Sequence, residues 1–138
     1  MSFDDITTAS VIMYPYLWDR EHRAGEIEGR KPRETAVALR VARKDDKQAL
    51  ILLAITTTPP TADQDAVEVP EIEKRRTGLD MGKPVWIILD EYNYDVIGES
   101  FYLEPEPPIG QFSDAFFKPV VAAFTAKFRE RARVRRGA

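Results

Sequence analysis

Ala49 to Thr56 is apolar on both sides of a two-residue repeat, and few folds accommodate such a stretch. Ile51, Leu53 and Ile55 fall on one side, and Leu50, Leu52 and Ala54 on the other. A strand of this composition is covered on both faces, so it belongs in the middle of a sheet and not on its rim. The preceding strand, Thr35 to Arg43, alternates instead. Thr35, Val37, Leu39 and Val41 form a row of larger side chains, against Ala36, Ala38, Arg40 and Ala42. Asp45-Asp46-Lys47 makes the turn between them. The basic cluster Arg30-Lys31-Pro32-Arg33 runs straight into this second strand. A cation at the mouth of a strand anchored in a core is held in place, as a charge-stabilising group must be. Arg33 is the residue best placed for that, and a solvated turn carrying ordinary surface charges is the plain alternative.

The other elements follow from local pattern. Ser10 to Tyr16 reads as a first strand that Pro15 confines to an edge or an end. Leu17 to Arg33 is a long polar loop. Val67 to Val69 is a short strand. Pro70 starts a short helix with Glu71 and Glu73 in its first turn, Lys74 to Arg76 in its last and Gly78 after it. Val85 to Leu89 is a buried strand that ends in Asp90-Glu91, and Ile97 to Leu103 is the last strand. Pro105, Pro107 and Pro108 form an extended connector. Ser113 opens a helical region that Pro119 kinks or divides. Its Phe117, Val120, Val121, Phe124 and Phe128 make an apolar stripe suited to core packing. Together these predict one domain over residues 1–138, α+β and mainly β. It is a small antiparallel barrel or coiled sheet with a short helix and a C-terminal helix.

Charge and composition narrow the function. For a chain of 138 residues, a net charge of −3 argues mildly against a nucleic-acid binder, and the distribution matters more than the sum. The tail 127–138 holds six basic residues and one acidic residue, so any phosphate contact is local. That charge run reads as a solvated helix end or a source of salt-dependent affinity for nucleic acid. There is no cysteine, hence no disulfide and no thiolate metal site. No apolar run reaches membrane-span length, and Met1 to Thr8 does not look like a signal peptide, so a cytoplasmic location is expected. Metal-site motifs, a phosphate-cradling glycine loop and a G-x-S-x-G nucleophile elbow are all missing from the sequence.

Four segments, in order, resemble the PemK/MazF family of bacterial toxins. They are Val11-Ile12-Met13-Tyr14-Pro15, Arg33 to Leu39, Leu53-Ala54-Ile55-Thr56, and Val67-Glu68-Val69-Pro70 with Gly78-Leu79-Asp80 and Val85 to Asp90. The likeness spans about Val11 to Phe124. It implies an SH3-like barrel, a homodimer, and a toxin-type endoribonuclease that cleaves single-stranded RNA without metal or other cofactor. Its partners would be RNA and a cognate antitoxin, with any DNA contact made through that antitoxin. Two positions depart from the pattern. Glu34 replaces a proline beside the key arginine, and Asn93 stands where many members carry a basic residue. Either the RNA preference has shifted or activity is reduced.

Metal-free cleavage uses the 2′-hydroxyl of the substrate, so the protein positions a phosphate, stabilises its charge and moves two protons. Arg33 suits paired bonds to phosphate oxygens. Thr56 orients a phosphate oxygen or the 2′-hydroxyl, or bonds only to backbone. Asp90 or Glu91 takes the proton or holds Arg33, or is simply a solvated strand-end acid. His22 is the single histidine, which excludes a two-histidine mechanism within one chain; it serves as a loop proton carrier or lies exposed. Trp18, with Tyr16, offers a flat surface for bases, or a core contact. Arg20, Arg23, Arg30 and Lys31 supply cations for phosphates. Glu26 and Glu28 read base edges or keep the loop soluble. The competing functions are a non-catalytic CcdB-like barrel acting through protein contacts and a nucleic-acid adaptor using the arginine tail.

Overall fold

The computed structural model describes residues 3–26 and 31–136. Its elements in order are β1 (Ser10–Tyr14), α1 (Asp19–Arg23), β2 (Arg33–Ala42), β3 (Gln48–Thr56), β4 (Ala66–Glu68) and α2 (Glu71–Thr77). Then come β5 (Trp86–Ile88), β6 (Glu91–Val96), β7 (Gly110–Gln111), α3 (Asp114–Ala126) and β8 (Ala132–Arg135).

β3 is the hub. Along one edge it pairs antiparallel with β2, from Ala42 opposite Gln48 to Thr35 opposite Ala54. Its other edge is shared. β6 takes the first half, from Ala49 opposite Val96 to Leu52 opposite Asn93, and β5 takes Ile55 and Thr56. The strand path runs β4-β5-β3-β2-β1-β7, with β6 and β8 branching off β3. The protein is therefore α+β and mainly antiparallel. Among the described residues the sheet is open, with β4 and β7 at its ends, so the closed-barrel alternative is not realised.

The alternation along β3 feeds two cores. Ile51, Leu53 and Ile55 pack with Val11, Ala36, Ala38, Ile87, Leu89 and the α3 residues Phe117, Val120 and Phe124. Leu50, Leu52 and Ala54 pack with Ile12, Tyr14, Tyr16, Trp18, Val37 and Ile88. Each fully buried Leu or Ile removes apolar surface worth about 1.5–3 kcal/mol.

Several elements differ from the expectation, each for a local reason. The single row Thr35, Val37, Leu39, Val41 is broken, because Val37 pairs with Leu52 and Leu39 with the very next residue, Ile51. Ala38 is thus the extra residue of a β-bulge. Val37 stays in the second core and Leu39 packs against the first. The long polar loop contains α1. Pro70 caps α2 from outside, and Gly78 closes it in the left-handed region at φ 73°. α3 runs through Pro119 as one helix, with Ser113 Oγ accepting from the Phe116 N–H. β7 passes so close to α2 that a Cβ on Gly110 would lie 2.7 Å from the Thr77 Cα.

The largest corrections concern β6 and the tail. Ile97 to Leu103 is not a strand. The chain turns there, and Phe101 is 99% exposed. The strand lies just before, in Glu91–Val96, whose polar letters conceal it. Asn93 and Asp95 are buried but fully engaged. Asn93 bonds both backbone groups of Leu17, at 2.9 and 2.7 Å. Asp95 accepts from the Tyr14 hydroxyl and from Ser100, each at 2.7 Å. The arginine tail is not a solvated helix end either. Residues 132–135 form β8, parallel to β6, with Val134 buried. Arg136 is only 3% exposed and donates Nη1 to the Pro15 carbonyl at 2.7 Å, its guanidinium 3.9 Å from the Tyr102 ring centre. Arg133 and Arg135 face outward over the Tyr94 ring.

Removing residues 132–138 is expected to lower the thermal midpoint by about 10 °C or more, because it uncovers the β6 edge and unpairs Asn93 from Arg136. An unchanged midpoint in calorimetry would show the tail to be dispensable for folding.

Candidate functional site

The β2–β3 register assembles the site. Thr35 lies opposite Ala54 at the end of the ladder, and Arg33 and Thr56, two residues beyond on each strand, line the same hollows. Both stand at the same end of the sheet. Pro32 cannot extend β2 backwards as a donor. β3 stops because the Thr58 N–H turns back to Thr56 Oγ1 at 3.0 Å. That bond occupies the hydroxyl oxygen as acceptor and leaves its O–H to donate outward.

Two hollows open at this end. One, of about 380 Å³, is lined by Arg33, Glu34, Thr56, Thr58 and Asp80 among others. The other, of about 520 Å³, is lined by Trp18, Arg20, Arg33, Thr56, Thr58 and Gln64 among others. Arg33, Thr56 and Thr58 line both and form the rim between them.

Trp18 gathers the charge. The Arg20 guanidinium carbon lies 4.8 Å from its ring centre, and that of Arg33 5.7 Å. Neither guanidinium has a hydrogen bond or an ion pair to a described residue. The indole face attracts both cations without neutralising either, so an anion placed between them gains from two charges at once. The indole itself is held from several sides. Tyr16 meets it edge-on at 5.3 Å. Asn93 clamps Leu17 just before it. The Trp18 N–H donates to Glu21 Oε1 at 3.1 Å, and the Asp19 N–H donates to Glu91 Oε2 at 2.5 Å.

Of the residues singled out from the sequence, Arg33, Thr56, Trp18 and Arg20 come together here. Lys31 is exposed and lines neither hollow. His22 and Arg23 are exposed on α1, with Arg23 paired to Asp19 at 3.0 Å. Arg30 and Glu28 lie outside the described residues. Asp90 lines neither hollow; its Oδ1 accepts from the Asp65 N–H at 2.5 Å and fixes the corner between β5 and β6. Glu91 is buried and caps α1, so it positions the loop instead of lining the rim. The carboxylates beside the rim belong to Glu34 and Asp80. Thr58 and Gln64 were not among the sequence candidates, and the run Thr56-Thr57-Thr58 after a buried strand is the signal that marks the first of them. Among the described residues, no three His, Asp or Glu side chains gather into a group able to hold a metal ion. No helix among them is long and apolar enough to cross a membrane.

Burial pushes the Glu91 carboxyl up to about 7; the Asp19 N–H bond and the Arg20 charge oppose that rise, and the Asp19 and Asp90 carboxylates add to it. The folded protein thus holds this proton more tightly than the unfolded chain, whose value is near 4.5, and stability falls as pH rises from there through about 7. Glu91→Gln keeps an acceptor for the Asp19 N–H and has no charge to lose. Its thermal midpoint should therefore vary less than that of the wild type between pH 5 and 8. Superimposable profiles would rule out this ionisation. No family model matches the chain, and neither a curated protein nor a solved structure is significantly similar to it.

Proposed function

We propose that this chain is a toxin-type endoribonuclease that binds single-stranded RNA across the Arg33–Thr56 rim and cleaves it without metal. The observation that carries this is the proximity of an unneutralised guanidinium and a hydroxyl that only accepts a bond among the described residues, on a rim between two hollows. A phosphodiester at the rim would have one nucleoside on either side. Arg33 bonds its non-bridging oxygens and stabilises the charge that grows there, while the Thr56 O–H donates to the same phosphate. The adjacent 2′-oxygen attacks phosphorus as the bond to the 5′-oxygen breaks. The 2′ proton passes to water and the 5′-oxygen takes one from water, giving a 2′,3′-cyclic phosphate and a 5′-hydroxyl. Trp18 stacks one flanking base, and Arg20 extends the cationic track. An SH3-like arrangement of the PemK/MazF type, a homodimer, a cytoplasmic location and a cognate antitoxin belong to the same proposal.

A second reading, CcdB-like binding without cleavage, is favoured by one observation. The carboxylates of Asp90 and Glu91 are both engaged by backbone N–H groups away from the rim, so neither stands ready as the base. Cleavage here relies on positioning and charge stabilisation, and a slow turnover is expected.

Defined RNA incubated with the protein in EDTA separates the two. Arg33→Ala should reduce cleavage by about 100-fold or more, and Thr56→Ala by about tenfold. Arg33→Lys should recover only part of the loss, because lysine lacks the paired donors. Full activity of Arg33→Ala would overturn the assignment, and intact RNA with the wild type would leave the binding reading.

A further inference from the structure

We infer that the hollow beside Glu34 is a base-recognition pocket for guanine, and that Glu34 is the residue that reads it. This presupposes the RNA occupant proposed above and adds a specificity to one side of the same rim.

The two hollows differ in chemistry. The one beside Trp18 offers an indole, the Arg20 guanidinium and the Gln64 amide. Stacking of that kind accepts any base. Among the described residues the other has no aromatic wall. Ile55, Leu79 and Val85 make its apolar sides, and Glu34, Thr57 and Asp80 its polar ones. An ionised carboxylate only accepts hydrogen bonds, so a base entering there must present donors.

Glu34 is the free carboxylate of the pair. Asp80 spends Oδ1 on the Gly82 N–H at 2.8 Å, whereas the carboxyl group of Glu34 bonds to no described residue. Glu34 also sits on a fixed mount, in β2 opposite Met13 of β1. Strand alternation turns it to the opposite face from Arg33, and no ion pair joins the two among the described residues. Its carboxyl group lies in the hollow next to the proposed phosphate position, so a bound base has to offer it donors to offset the repulsion. A cost of that sort discriminates between bases.

Guanine repays it best. Its N1–H and N2–H donors lie side by side on the Watson–Crick edge and match the two oxygens of one carboxylate. Adenine and cytosine each set a ring-nitrogen acceptor next to their amine. Uracil flanks its single N–H with two carbonyl oxygens. Both mismatched arrangements point an acceptor at an acceptor.

The test uses uncleavable 2′-O-methyl oligouridylates containing one guanine, inosine or adenine, with binding followed by fluorescence anisotropy. Guanine should bind about fivefold or more tightly than adenine, and inosine, which lacks the N2 amine, should lose part of that advantage. Glu34→Gln should abolish the guanine–inosine gap, and Asp80→Asn should keep it. The base substitutions need no variant, so the wild type alone can overturn the pocket by binding all three oligonucleotides equally. A guanine–inosine gap that persists in folded Glu34→Gln overturns the role of Glu34. The same sequences as ordinary RNA, incubated in EDTA, keep the two proposals apart. Guanine-selective binding without cleavage removes the ribonuclease and leaves the pocket. Arg33-dependent cleavage without guanine selectivity removes the pocket and leaves the ribonuclease. No binding to any oligonucleotide removes both.

Discussion

β3 is apolar on both faces, and it can leave water only if something covers each face and something pairs with each edge. No one neighbour meets the second requirement. β2 satisfies one edge along most of its length, while β5 and β6 divide the other. The chain must therefore turn sharply between β5 and β6, and the Asp90 carboxylate that holds the Asp65 N–H sits at that corner. Covering the faces has equally wide consequences. α3 seals one core with Phe117 and Phe124, and the segment from Tyr14 to Trp18 seals the other. The hollows at the end of β3 lie where this covering stops.

The second core links stability to the site. Trp18 belongs both to that core and to the wall of a hollow. Its backbone neighbour is clamped by Asn93, a residue that looks like a departure from a basic position when only the sequence is in view. Buried and bonded to both backbone groups of Leu17, Asn93 acts as a substitute strand partner. Arg136 also reaches Asn93, at 3.3 Å, so the last described residue of the chain helps hold the loop that carries Trp18 and Arg20. Buried polar networks of this kind are costly when broken, because every member depends on the others for its hydrogen bonds. Arg136 already leaves Nε and Nη2 without partners among the described residues, with the Tyr102 ring face beneath the guanidinium.

Much of the framework was legible because it repeats. β2, β3, the short helix after Pro70 and the helix after Ser113 all announce themselves by apolar period or by end residues. That Arg33 stands at a strand start and Thr56 at a strand end was legible too, whereas their sharing of two hollows depended on the tertiary structure. What escaped has one common cause. β6 carries the polar Asn93 and Asp95 on buried positions, and β8 offers only Val134 as a buried apolar residue between two outward arginines, so a period read from hydrophobicity passes over both. Asn93, Asp95 and Arg136 are inside because partners distant in sequence meet their hydrogen bonds. The bulge at Ala38 is likewise a two-strand property, visible only when Val37 and Leu39 are counted against Leu52 and Ile51.

The sequence by itself determined that β3 is central, that Arg33 opens a rigid strand, and that no thiolate chemistry is available, since each is a property of residue type and local spacing. Only the tertiary structure decided that Asp90 and Glu91 serve as structural caps, that Glu34 faces a hollow, and that the arginine tail is a strand with its last guanidinium buried. The physical reason is that the fate of a charged side chain depends on which distant groups meet it, and nothing in its immediate neighbours specifies them.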